Sequence, residues 1–111
     1  MNQNLPIRVM KFGGTSVGNS ARMRGVVDLV QKALETDRVC LVASAMAGVT
    51  NLLVKAVDPA AREETAALRD RFRAVHEAAV AELETDLGDE APPLRAELAE
   101  LVAECDRLLK G

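Results

Sequence analysis

A pair of glycines stands where an extended pattern gives way to a helical one, and this junction constrains the fold more than any other feature. The apolar run Ile7-Arg8-Val9-Met10 leads into Lys11-Phe12-Gly13-Gly14-Thr15-Ser16, and a helix-period segment from Met23 to Leu34 follows. A strand therefore ends, and a helix is about to begin, around a lysine and two residues without Cβ. In open α/β sheets ligands bind outside the carboxyl ends of the strands. Without a Cβ at Gly13 and Gly14, backbone N–H groups can close on an anion. The helix start adds unpaired N–H groups and a positive dipole end, and Lys11 adds a full charge. A Gly-Gly pair alone is also an ordinary tight turn. Here the lysine before it and Thr-Ser after it point to an anion-binding device. That device is not the P-loop, whose lysine follows the glycines, and it lacks the Gly-x-Gly-x-x-Gly spacing of dinucleotide folds.

The rest of the pattern reads as α/β. Ile7 to Phe12 is expected to be a buried strand. Ser20 is the expected helix N-cap, and Met23, Val26, Val27, Val30 and Leu34 fall on one helical face. Val39-Cys40-Leu41-Val42-Ala43 is a second continuous apolar strand, of the kind covered on both faces in a parallel sheet. Strand, helix and strand make a right-handed βαβ unit. A short helix with Val49, Leu52, Leu53, Ala56 and Val57 on its apolar side then runs to a break at Pro59. Ala60 to about Glu84 reads as one amphipathic helix striped by Leu68, Phe72, Val75, Ala79 and Leu83, about 37 Å long at 1.5 Å per residue. Gly88 and Pro92-Pro93 are expected to form a turn. Leu94, Leu98, Leu101, Val102, Cys105 and Leu108 stripe a final helix, antiparallel to the previous one. The expected division is residues 1–58, strand-helix-strand, and residues 59–111, helical hairpin. Two strands leave unpaired edges and do not make a stable doubly wound sheet. The expected fold class is thus an incomplete α/β domain, part of a larger open parallel sheet.

Composition narrows the partners. A net charge of −3 with no basic stripe argues against nucleic acid. Phe12 and Phe72 are the only aromatics, too few for base stacking. Cys40 and Cys105 sit in apolar patterns without metal-ligand spacing and are expected to be buried free thiols. His76 lies beside the Phe72–Val75 stripe with no neighbouring ligand residue, and reads as a boundary histidine. No secretory signal and no apolar run of membrane-spanning length is present, so a cytoplasmic location is expected, with no membrane partner.

Lys11 to Val17, Lys-Phe-Gly-Gly-Thr-Ser-Val, resembles the opening signature of aspartate kinases, within the amino-acid kinase superfamily. Val42 to Asn51 resembles that family's loop after the second strand, Ser-Ala-x-Ala-Gly-x-Thr-Asn. The resemblance covers residues 6 to 54; residues 55 to 110 match by position and character only. It implies the N-terminal portion of a kinase domain with an amino-acid kinase-type open parallel sheet. The implied reaction transfers the γ-phosphate of ATP to the β-carboxylate of L-aspartate, giving 4-phospho-L-aspartate at the head of lysine, threonine and methionine biosynthesis. The nucleophile is already ionised at pH 7, so catalysis rests on positioning and on positive charge aimed at the transferred group. By resemblance Lys11 is catalytic and contacts the phosphates. Gly13 and Gly14 give backbone donors, and Thr15 and Ser16 add hydroxyls. Ser44, Ala45 and Thr50 lie near aspartate. Mg²⁺ accompanies ATP, with no ligand in this segment. A homo-oligomer is expected on other grounds, since the helical hairpin and the open sheet edges offer surfaces for self-association.

Plainer readings stand beside these. Lys11 also fits a solvated strand end, Thr50 a helix cap, and Ser44 a backbone-bonded turn. Two other functional readings stay open. One is an amino-acid kinase acting on glutamate, acetylglutamate, carbamate or UMP, against which Thr15-Ser16 and Ala47-Gly48-Val49-Thr50-Asn51 argue. The other is a non-catalytic phosphate-binding or oligomerising fragment. A monofunctional parent and one fused to homoserine dehydrogenase fit equally.

Overall fold

The computed structural model describes residues 4–110. The chain divides after Gly48 into two compact units.

The first unit is a βαβ motif. Strand β1, Ile7–Phe12, pairs in parallel with β2, Arg38–Ala43, in a two-stranded sheet. The register sets Ile7 opposite Arg38 and Phe12 opposite Ala43. It is fixed at the start by the Arg38 amide, which donates to the Pro6 carbonyl at 2.8 Å, and by Arg38 Nε, which donates to the Leu5 carbonyl at 3.1 Å. Arg8 adds a fork onto Asp37, with Nε 3.1 Å from Oδ2. Between the strands runs α1, Ser20–Ala33. Its Leu29 and Ala33 lie beside Met10, and its Val26 and Leu29 beside Phe12, so α1 packs on the sheet face that carries Met10 and Phe12, covering its β1 side while Leu41 on the same face stays 51% exposed.

Side chains alternate across a strand, so Ile7, Val9 and Lys11 share the other face with their register partners Arg38, Cys40 and Val42. Ile7 and Val9 are 64% and 66% exposed, and Val42 is 44% exposed. The expectation of buried strands covered on both faces is thus corrected: α1 supplies one cover only. The buried-thiol expectation fails with it, since Cys40 is exposed and Cys105 half-buried, although both thiols are free. The N-cap is also corrected. Asn19, not Ser20, accepts the Arg22 amide through Oδ1 at 2.9 Å, while Ser20 is the buried first residue of the helix.

The second unit is helical. Helix α2, Val49–Ala56, leads into a 3₁₀ segment, Pro59–Glu64, and then α3, Thr65–Glu82. The single long helix expected from Ala60 is therefore two pieces. Asp58 caps the Ala60 amide at 2.9 Å, Pro59 follows, and Ala61 departs from helical angles. The 18 residues of α3 span about 27 Å rather than 37 Å. A short helix α4, Glu84–Leu87, and a 3₁₀ turn, Gly88–Glu90, reverse the chain into α5, Ala91–Lys110. Gly88 takes φ +54, which favours glycine. Pro92 and Pro93 do not form the turn. They occupy the first turn of α5, where a missing N–H leaves no helical bond unmade.

Helices α3 and α5 run antiparallel, as expected. Asp106 takes Arg69 at 3.1 Å and Arg73 at 2.6 Å, and near the turn Arg95 meets Glu84 at 2.6 Å. The core is built of small residues. Ala56, Ala61 and Leu68 cluster with Leu52 and Leu109 against them, and Ala79, Ala91 and Val102 are also buried. The His76 Nδ1–H donates to the Phe72 carbonyl, 2.7 Å away, with its ring 4.6 Å from that of Phe72.

Candidate anion-binding site

The site grows from the carboxyl ends of β1 and β2. The Ser44 amide donates to the Phe12 carbonyl at 3.0 Å, which carries the ladder one step past β2 and holds the two strand ends level. Beyond Phe12 the chain turns at once. The Gly13 carbonyl accepts the amides of Ser16 at 3.0 Å and Val17 at 3.2 Å, and the buried Val17 side chain pins the turn. This spends the Ser16 and Val17 amides. Those of Gly13, Gly14 and Thr15 make no backbone hydrogen bond among the described residues. Three consecutive amides without a backbone partner are donors that an anion can use. Lys11, one residue inside β1, is exposed and pairs in register with Val42. Among the described residues no carboxylate neutralises it.

The turn lies against the loop after β2. A Cβ on Gly14 would stand 3.5 Å from the Ala45 carbonyl oxygen and 3.7 Å from Ser44 Oγ. A methyl on Gly14 would therefore be in van der Waals contact with both Ser44 and Ala45, so the two stretches singled out in the sequence lie side by side. Ser44 Oγ donates to the Ala45 carbonyl at 3.1 Å, so its proton is used locally and its lone pairs remain. Thr50 is exposed and is the second residue of α2, inside the helix rather than at a capping position. It belongs to the second unit.

Residues not singled out in the sequence also build this site. Gly18 lets the turn close, since a Cβ there would come within 3.1 Å of the Gly14 carbonyl oxygen and 3.2 Å of Ala47 Cβ. Asn19 anchors the start of α1. Arg22 and Ser16 line a cavity of about 260 Å³ between the end of β1 and α1. The signals were slight: a third glycine after the pair, and an asparagine next to an equally suitable serine.

A larger cavity of about 640 Å³ occurs in the second unit, bordered by Arg62, Arg69 and Lys110. Two of its cations have structural explanations. Arg69 is held by Asp106, and Lys110 sits in the last turn of α5, where the helix dipole favours a cation. Among the described residues, no group of three or more His, Cys, Asp or Glu side chains is placed to hold a metal ion. No helix among them is long and apolar enough to cross a membrane.

A parallel βαβ unit with a Lys-x-Gly-Gly turn beside a Ser-Ala loop defines an α/β protein. The model of the amino acid kinase family matches residues 6–108, and the chain belongs to that family. Among its relatives, the bifunctional aspartokinase/homoserine dehydrogenase of Buchnera aphidicola is 36% identical over 52 residues, 47% of this chain and 6% of that protein. The aspartokinase of Rickettsia conorii is 47% identical over 47 residues, 41% of this chain and 12% of that protein. The solved structure of Escherichia coli aspartokinase III, in complex with lysine and aspartate, superposes with a TM-score of 0.72 at 30% identity. That match covers 94% of this chain and 22% of that one. The chain thus spans a small part of the length of the proteins it resembles.

Proposed function

We propose that this chain is the N-terminal part of an aspartate kinase, which transfers the γ-phosphate of ATP to the β-carboxylate of L-aspartate. The observation that carries this reading is the nearness of Gly14 to Ser44 and Ala45, which a Cβ on Gly14 would meet at 3.7 Å and 3.5 Å. It sets a three-amide turn, fitted to phosphate, beside the loop that resembles the family's acceptor-binding stretch. Donor and acceptor anions then meet where the strands end. Lys11 supplies the charge that offsets their repulsion and stabilises the group in transfer. Gly13 and Gly14 donate backbone hydrogen bonds to phosphate, with Thr15 and Ser16 adding hydroxyls. Ser44, Ala45 and Thr50 contact aspartate. Mg²⁺ arrives with the nucleotide. The described residues offer no cluster of three or more His, Cys, Asp or Glu side chains to seat it. The protein works in the cytoplasm as a homo-oligomer, and the 111-residue chain alone has negligible activity.

The test is a substrate panel on the complete protein from the source gene. Aspartate is phosphorylated, and glutamate, acetylglutamate, carbamate and UMP are not. Lys11→Ala lowers kcat about 10²–10³-fold. Preferential turnover of another acceptor overturns the substrate, and an unimpaired Lys11→Ala overturns the assignment of that residue.

A further inference from the structure

Arg22 has no evident structural employment. It stands in the first turn of α1, where the helix dipole opposes a cation and where no acidic residue is present. Its amide is held by Asn19, but among the described residues no carboxylate pairs with its guanidinium. Instead Arg22 borders the cavity of about 260 Å³ whose other polar side chain is Ser16 and whose apolar wall includes Phe12, Val26 and Leu29. Gly25 borders that space, and a Cβ built there meets nothing within 4 Å. A guanidinium and a hydroxyl beside an apolar wall suit one oxyanion group, and Ser16 directly follows the Gly13–Thr15 turn in the chain. The fork of the guanidinium matches phosphate geometry.

We propose that Arg22 and Ser16 form an anion subsite that takes a phosphoryl group of the nucleoside triphosphate whose chain lies on the Gly13–Thr15 turn. This rests on the reading of that turn as a phosphate site. It adds a second cation, on the α1 side of β1, whereas Lys11 lies on the face that α1 leaves open. The triphosphate is then gripped from both faces of β1, and Arg22 fixes which phosphoryl group sits at the turn.

The experiment is a titration of the ¹⁵N-labelled chain with inorganic tripolyphosphate at low ionic strength, following the amides of Gly13 to Ser16 and the Arg22 Nε–H. Saturable shifts at both are expected. Arg22→Gln should weaken binding about fivefold, with Arg22→Lys recovering only part of it. Arg24→Gln removes the same charge one position outside the cavity lining and should weaken binding less. Gly25→Leu fills the cavity without meeting a neighbour at Cβ, and should weaken binding while leaving the spectrum of the fold intact. Equal losses in Arg22→Gln and Arg24→Gln, or unchanged affinity in Gly25→Leu, overturn the subsite. A loss in Lys11→Gln with none in Arg22→Gln overturns the subsite and leaves the turn as the phosphate site. Wild-type chain that shows no saturable shift overturns both.

Discussion

Gly18 and Ala47 approach so closely that a methyl group on Gly18 would stand 3.2 Å from the Ala47 Cβ. The same methyl would lie 3.1 Å from the Gly14 carbonyl oxygen and 3.3 Å from that of Thr15. One methyl asks its neighbours to give by a few tenths of an ångström. A branched side chain must push the turn and the loop apart. Gly18→Val is expected to destabilise the first unit by about 1–3 kcal/mol and to move the amide resonances of Gly14 and Ser44 together. Gly18→Ala should show the same pattern at smaller amplitude. Unchanged Gly14 and Ser44 resonances in Gly18→Val would mean the two loops are not packed on this glycine.

The bond from the Arg22 amide to Asn19 Oδ1 satisfies one of the orphan donors at the start of α1. Asn19→Ala should cost about 1 kcal/mol and speed hydrogen exchange at the Arg22 amide. Asn19→Asp keeps the acceptor and adds a charge that the dipole favours, so it should hold wild-type stability. Native-state hydrogen exchange reads both variants. Wild-type protection of the Arg22 amide in Asn19→Ala would transfer the cap elsewhere.

The α3–α5 hairpin should weaken in acid. The Asp106 carboxyl is held below its ordinary range, first by the hydrogen bond from Arg69 and further by Arg73 and the charge of both. A carboxylate with a depressed folded pKa contributes stability that is complete above its unfolded value, near 3.9. That contribution is lost as pH falls through the lower folded value. Helicity followed by circular dichroism should therefore hold down to about pH 4 and decline below it. Asp106→Asn should flatten that decline and lower Tm at pH 7. An acid limb identical in wild type and Asp106→Asn would place the sensitivity on other carboxylates.

The two thiols should differ in reactivity. Cys40 is exposed on the open sheet face, while Cys105 is half-buried and its pKa is raised, by burial first and by the Asp106 charge second. Less thiolate and less access both slow alkylation. Iodoacetamide near pH 8 should label Cys40 about tenfold faster than Cys105, and Cys40→Ser should delete the fast phase seen by mass spectrometry. Equal rates would mean that the Cys105 helix opens readily.

Strands and breaks were legible because their signals are local. An apolar run bounded by polar residues marks β1 and β2, and Pro59 stops α2 by lacking a donor. The start of α1 was not, because Asn19 and Ser20 are both good caps and the apolar spacing begins only at Met23. The 3₁₀ segment was hidden by helix-forming alanines and glutamates. It is set by the bond between Asp58 and the Ala60 amide, which composition does not display. Pro92-Pro93 misled because proline serves a turn and a first helical turn equally. Burial was least legible, since Val9 and Met10 look alike in the sequence and α1 packs on only one side. At the candidate site the strings around Lys11 and Ser44 stood out, but their contact follows from the parallel register. The steric role of Gly18 comes from the path of another loop.

The stripe of Ile7, Val9 and Val42 gives this polypeptide a second identity inside a cell. An apolar ribbon with unpaired edges is the surface that aggregation and chaperones both recognise. As long as nothing lies over it, the βαβ unit is a client of the folding machinery as well as a potential ligand cradle. The yield of soluble chain should therefore rise with chaperone supply, and a polar residue in place of Val9 should lessen that dependence.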